Sequence, residues 1–250
     1  SIQAKTFDSD LQNILANSGQ DSLHQVIIAF DQTGALSTAQ LAALNSLGIS
    51  GVSMQSLPIV GALATQSQIE AIYTRDDVVS IWENEEITLE NFEATQLTGV
   101  KQLRADQSMS KSGIPFTGRG IGVLVNDSGI DGNHNDIKFL QHVVQNVAGQ
   151  LNLLNDTGIV PVLYQENVAN TEVATGHGSH VAGTIGGNGA MSNGMHTGVA
   201  PGANIIGYGS GAYNLLLDTM GGFDYASTHQ YTYNIRVISN SFGQTSDVGS

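Results

Sequence analysis

The chain has no cysteine, which excludes disulfides, thiol nucleophiles and cysteine-ligated zinc in one step. Basic residues are scarce too: eight Lys and Arg stand against 22 Asp and Glu, for a formal net charge of -14. Binding a phosphate backbone depends on clustered cations, so nucleic acid is not an expected partner, and the excess of acid is accounted for by solubility. No apolar run approaches the roughly 18 residues that a membrane-spanning helix needs, and Ser1 to Asp10 lack the basic and apolar regions of a signal peptide. What is present is 250 residues at 40% hydrophobic content. That is enough for one large core, or for a small domain beside a larger one.

Residues 1–22 are polar and weakly patterned and read as a loose leader. The pattern tightens from His24, with the β-rich run Val26-Ile27-Ile28. Leu41, Leu44 and Leu47 follow at helical spacing behind a Ser37 or Thr38 cap, and Gly48 ends that helix. Val52 to Leu57 and Ile59 to Ala64 read as two short strands around Pro58, Gln66 to Tyr73 as a second helix, and Val78 to Trp82 as a last strand. The order β-α-β-β-α-β is that of the split ferredoxin-like unit, so residues 23–90 are expected to form a small α+β domain. Glu83 to Ser112 is more polar and ends in the Gly- and Ser-containing stretch Ser108 to Gly113, so residues 91–119 are expected to be a linker and the N-terminus of the next domain. From residue 120 to 250, apolar strands alternate with Gly-rich turns and helical stretches: Ile121 to Val125, Lys138 to Val147, the His177 segment, Ala203 to Tyr208, Leu215 to His229 and Ile235 to Asn240. That alternation predicts an α/β domain with a parallel sheet.

Two stretches 50 residues apart carry the chemistry. Val123-Leu124-Val125-Asn126-Asp127-Ser128-Gly129 puts a carboxylate at the C-terminal end of a buried strand, the edge at which open α/β sheets bind ligands. Gly176-His177-Gly178-Ser179-His180-Val181-Ala182-Gly183-Thr184 places a histidine at the start of a helix made of small residues. Such a helix can approach the sheet closely, and its N-terminal dipole disfavours the imidazolium, leaving a neutral ring fit to act as a general base. Taken alone, Asp127 could be a turn-capping residue and His177 a satisfied polar histidine. A metal cluster of His177 and His180 with His134, Asp136 or His196 is disfavoured, because the helical zinc motif sets its histidines four apart around a Glu, and Gly178 and Ser179 fill the interval here.

In order and content these segments resemble the subtilisin-like serine proteases. The stretch Gly120 to Ile137, with His134-Asn135-Asp136-Ile137, is similar to the family's aspartate motif, with Asn135 where proline is usual. His177 to Thr184 is similar to the histidine motif, with Ser179 in place of Thr. Gly198-Val199-Ala200-Pro201-Gly202-Ala203 and Val237-Ile238-Ser239-Asn240-Ser241-Phe242-Gly243 match two further elements in order. The resemblance implies a parallel-sheet catalytic domain, incomplete here, preceded by a ferredoxin-like propeptide. It also implies that Asp127 and His177 are catalytic, as the aspartate and base of an Asp-His-Ser triad. Polypeptide substrates would be bound as an added strand between Gly209-Ser210-Gly211 and Ser241-Phe242-Gly243. The family's serine and oxyanion-hole motifs do not occur, nor does Gly-x-Ser-x-Gly, so the nucleophile is expected beyond residue 250 and the fragment is expected to be inactive by itself. No cofactor is needed for the chemistry; Asp136 matches a family ligand for structural calcium, while the companion loop Asn188 to His196 departs from the calcium-binding pattern. The family further implies export after signal removal, synthesis as a zymogen, and a propeptide that aids folding and blocks the cleft with a tail falling within Ile81 to Phe92. The alternative is a non-catalytic protein that keeps the fold as a binding or protease-inhibitor module.

Overall fold

The computed structural model describes residues 5–85, 88–89, 100–106, 108, 110–111, 114–154, 157–173, 175–209 and 215–243. In chain order the elements are β1 (Thr6–Phe7), α1 (Ser9–Asn17), β2 (His24–Phe30), α2 (Thr38–Ser46), β3 (Ser50–Ser53), β4 (Ile59–Ala64), α3 (Gln66–Tyr73) and β5 (Val78–Glu83). There follow β6 (Thr88–Leu89), α4 (Val100–Ala105), β7 (Ser110–Lys111), β8 (Ile114–Pro115), β9 (Gly122–Asn126), β10 (Val143–Gln150), β11 (Ile159–Pro161), β12 (Leu163–Gln165), α5 (His177–Gly186), β13 (Asn204–Gly209), α6 (Leu216–His229), β14 (Ile235–Ser239) and β15 (Phe242–Gly243). The chain divides into two compact units. The first takes residues up to Glu85 together with 150–163 and 215–224, and the second takes the remainder.

The first unit is built on a six-stranded sheet in the order β1-β5-β2-β4-β3-β11. β2 is antiparallel to both β4 and β5, and β3 is antiparallel to β4. Both expected helices begin in capping boxes. Ser37 pairs with Gln40 and Thr65 with Gln68, each side chain meeting the other's backbone N–H, so four otherwise orphaned donors are satisfied. The core is the inward set Val26, Ile28, Phe30, Leu44, Val60, Ala62, Ile69, Ile72 and Ile81. Of residues 1–22, expected as a loose leader, the described part from residue 5 onward is built into the unit: β1 pairs with β5 in parallel, and Leu11 and Leu15 of α1 are buried in the same core. Asp8 caps that helix by accepting from the N–H groups of Asp10 and Leu11. Two leucines one turn apart, behind a good cap, suffice to dock a helix whose other positions are polar.

The second unit carries a five-stranded sheet in the order β12-β10-β13-β9-β14, in which β10, β13, β9 and β14 run parallel. Every residue of β9 is buried, and successive side chains go to opposite faces. Val123 and Val125 pack with Val181 and Ala182 of α5. Leu124 packs with Tyr225 and Ala226, from the last turns of α6. A parallel strand covered on both faces reads as a continuous apolar run, and this is what marks residues 122–125 in the sequence. The second half of the expected segment Lys138 to Val147 is strand: β10 begins at Val143 and continues to Gln150.

Candidate active site

Asp127 directly follows β9, so its carboxylate leaves the sheet at the C-terminal edge. His177 is the first residue of α5, whose N-cap, Gly176, holds the left-handed conformation at φ 74°. The two side chains meet: His177 Nδ1 lies 2.7 Å from Asp127 Oδ1, with the histidine side chain 6% exposed and the aspartate side chain not exposed at all. An ionised carboxylate only accepts, so Nδ1 carries the proton and Nε2 is left as the basic nitrogen. Burial pushes the Asp127 carboxyl above the usual carboxylate range, against the opposing pull of hydrogen bonds from His177 and from the Ser128 N–H. Its second oxygen, Oδ2, is buried and has no hydrogen-bond partner among the described residues.

Two glycines allow this approach. A side chain at Gly178 would collide with the carbonyl oxygen of Gly129 and stand 3.1 Å from the Asp127 Cβ. Gly129 itself sits at φ 113°, where a Cβ would strike the Thr171 carbonyl. Only glycine lets the helix start and the aspartate turn pack face to face. Hydrogen bonds then lock them together. Ser128 Oγ accepts the Gly178 N–H at 3.0 Å and donates to the Glu172 carboxylate at 3.0 Å; Ser179 Oγ accepts the Asp131 N–H at 2.8 Å. Deeper in, Thr171 Oγ1 accepts from the Ile130 N–H and donates to Asn146 Oδ1, each at 2.9 Å, while Asn146 Nδ2 donates to the Ile130 carbonyl.

Sequence reasoning singled out Asp127 and His177 and missed the residues that hold them. Ser128 and Ser179 stood inside the quoted motifs. Asn146, Thr171 and Glu172 did not, and the only trace of Asn146 is that Gln145-Asn146 interrupts an apolar strand at two fully covered positions.

The expected cleft edge begins one strand away. β14 lies beside β9 with Ser239 opposite Val125, and Asn126 Nδ2 donates to Asn240 Oδ1 at 3.0 Å. The chain therefore enters Ser241, Phe242 and Gly243 next to the end of β9. Phe242 and Gly243 form β15, paired antiparallel with β6: Phe242 opposite Leu89 and Gly243 opposite Thr88. On the other side of β9, Gly209 ends β13, and the Asp127 N–H donates to the Tyr208 carbonyl at 3.2 Å. Ser210 and Gly211 lie outside the described residues. Asp136 Oδ1 accepts the Met191 N–H at 2.8 Å, which ties the 188–196 loop to the end of the aspartate motif. Among the described residues no three His, Cys, Asp or Glu side chains gather as a metal site would require, and none of the described helices is long and apolar enough to cross a membrane.

The chain is 32% identical over 157 residues to the major intracellular serine protease of Bacillus subtilis (strain 168), a match spanning 60% of this chain and 41% of the relative. Among solved structures it resembles fervidolysin from Fervidobacterium pennivorans, a keratinolytic enzyme related to subtilisin, with a TM-score of 0.57 at 15% identity. That likeness covers 96% of this chain and 38% of fervidolysin. It also resembles the S393A mutant of the epidermin leader peptide processing serine protease from Staphylococcus aureus, with a TM-score of 0.51 at 15% identity, over 83% of this chain and 48% of the other. The fold is thus subtilisin-like, and the chain spans less than half the length of each of these three proteins. The model of the Subtilase family matches residues 118–250, the segment that carries both Asp127 and His177; the chain belongs to the subtilase family.

Proposed function

We propose that this chain supplies the N-terminal part of a serine endopeptidase proenzyme. In it Asp127 orients His177 and stabilises its imidazolium. His177 takes the proton from a serine lying beyond residue 250, and that serine attacks the peptide carbonyl. The observation that carries this reading is the 2.7 Å contact between His177 Nδ1 and a fully covered Asp127 carboxylate at the C-terminal edge of a parallel sheet. It supports the tautomer with Nε2 as the base, the arrangement that hydroxyl activation needs. The pairing of Thr88–Leu89 with Phe242–Gly243 supports a second part of the proposal. A substrate strand would lie there by β-addition, and the chain just after the first unit occupies it, as a propeptide tail would. Residues up to Glu85 then act as an inhibitory propeptide domain, and polypeptides are the substrates. The relative from Bacillus subtilis is named an intracellular protease, so family membership does not carry the expected export.

Expressing the chain together with the sequence that follows residue 250 tests this. The extended protein is expected to hydrolyse peptides, to lose that activity on His177→Ala, and to mature with a new N-terminus between residues 90 and 113. Full activity in the His177→Ala variant would overturn the mechanism. A mature protein that retains residues 1–85 in covalent linkage would overturn the propeptide assignment.

A further inference from the structure

The first unit is not made from one run of chain. After Glu85 the chain leaves it and returns twice, as residues 150–163 and 215–224, both from sequence on the far side of Asp127. The first return is the more unusual, because it adds a strand to the sheet. β11 runs parallel to β3 with Ile159 opposite Gly51, Val160 opposite Val52 and Pro161 opposite Ser53. The ladder continues past both ends: the Gly51 N–H donates to the Gly158 carbonyl at 3.3 Å and the Val162 N–H to the Ser53 carbonyl at 2.9 Å. Side chains of the N-terminal segment reinforce it. Asn45 Oδ1 accepts the Ile159 N–H at 2.8 Å and Gln55 Nε2 donates to the Val162 carbonyl at 2.9 Å. Ile159, 8% exposed, belongs to the same apolar core as Val26 and Ile81, and Val162 is completely covered.

β3 without β11 would be an edge strand presenting unpaired backbone groups. The segment between β10 and β12 satisfies them in the way a bound peptide satisfies a sheet edge. It therefore serves the N-terminal domain as a partner strand, although its sequence lies between the two catalytic residues. We infer that β11 is a clasp: the strand it adds to the edge of β3 sets how long the N-terminal domain stays attached once the connecting chain has been cut. This rests on the reading of that domain as an inhibitory propeptide, and it adds that the rate of release is governed by residues 158–162.

The test needs no proteolytic activity. In the 1–250 chain carrying His177→Ala, a recognition sequence for a foreign site-specific protease is placed between residues 90 and 99 and cut, and separation of the two fragments is followed by size exclusion after dilution. The fragments are expected to co-elute and to part at least ten-fold more slowly than in a chain whose residues 158–162 are replaced by Gly and Ser at the same length. The milder Ile159→Ser with Asn45→Ala is expected to fall between them, and circular dichroism of the uncut chains reports whether each variant is folded. Equal separation rates in folded variants, or immediate separation in the parent, overturn the clasp. An extended protein that proves inactive would instead overturn the protease reading and leave the separation rates as they are.

Discussion

Asp224, wholly buried in the first unit, accepts from the N–H groups of Gln55, Ser56 and Leu57 and from the Ser56 hydroxyl, at 2.6 to 3.1 Å. Asp127, buried in the second unit, accepts from His177 and the Ser128 N–H on one oxygen, while the other has no partner among the described residues. Both are buried aspartates, yet one is saturated by fixed dipoles and the other is kept short of them. A saturated carboxylate is a structural anchor, since its charge is matched whatever happens around it. An under-served carboxylate gains most when its neighbour becomes cationic, which is what a base needs at the moment it takes a proton. In the proposed mechanism the contrast separates a residue that holds the fold from one that the fold holds ready.

The largest effect that would sharpen this contrast is on turnover. In the extended protein, Asp127→Asn is expected to lower kcat by about 10⁴-fold while leaving the fold intact, because an amide favours the wrong tautomer of the ring. Asp224→Ala should do the reverse, leaving chemistry to the second unit and weakening the first. It strands three N–H groups and a hydroxyl and is expected to cost about 3 kcal/mol or more, read as a lower urea midpoint. The single tryptophan, Trp82 in β5, is the reporter for that unit. An unchanged midpoint would mean that the saturated carboxylate anchors nothing. Third comes Gly178→Ala, which pushes the start of α5 off Gly129 and Asp127. A misplacement of this kind is expected to reduce kcat by about 10²-fold with KM retained.

How much of this could be read in advance differs between the same two regions. The strand Ile59–Ala64 and helix Gln66–Tyr73 fall where local pattern and capping residues put them, because a β-rich run and a capping box act within a few residues. Asp127 and His177 were legible for a different reason: each stands in a contiguous motif. What stayed hidden is tertiary. Nothing in Gly158-Ile159-Val160-Pro161 announces a strand, since its partner, β3, lies more than a hundred residues away. Leu11 and Leu15 were outweighed by polar neighbours. Asn146, Thr171 and Glu172 gain their roles only once Ile130 and Ser128 are brought beside them, and Asp224 sits in a helix whose pattern gives no hint of a buried charge.

The smallest effect tests the premise about Asp127 directly, through stability and its dependence on pH. Burial, the largest influence on this carboxyl, holds its pKa above the unfolded value, so between those two values the folded state binds more protons than the unfolded one. Stability contributed by the group is then present below the unfolded pKa, near about 3.9, and is lost as pH rises through the folded value, leaving a constant penalty at neutral pH. Asp127→Asn removes that penalty: the variant is expected to melt above the parent at pH 7, with the gap closing as the pH is brought below about 4. Asp77 is the control of opposite sign. Its carboxyl is held below the usual range by the two-point contact with Arg75, both bonds 2.9 Å, so its contribution is present at neutral pH and lost on acidification, and being a third exposed it is small. A parent that melts above Asp127→Asn at pH 7 would show that the His177 contact outweighs burial, placing Asp127 with Asp224 among the anchors.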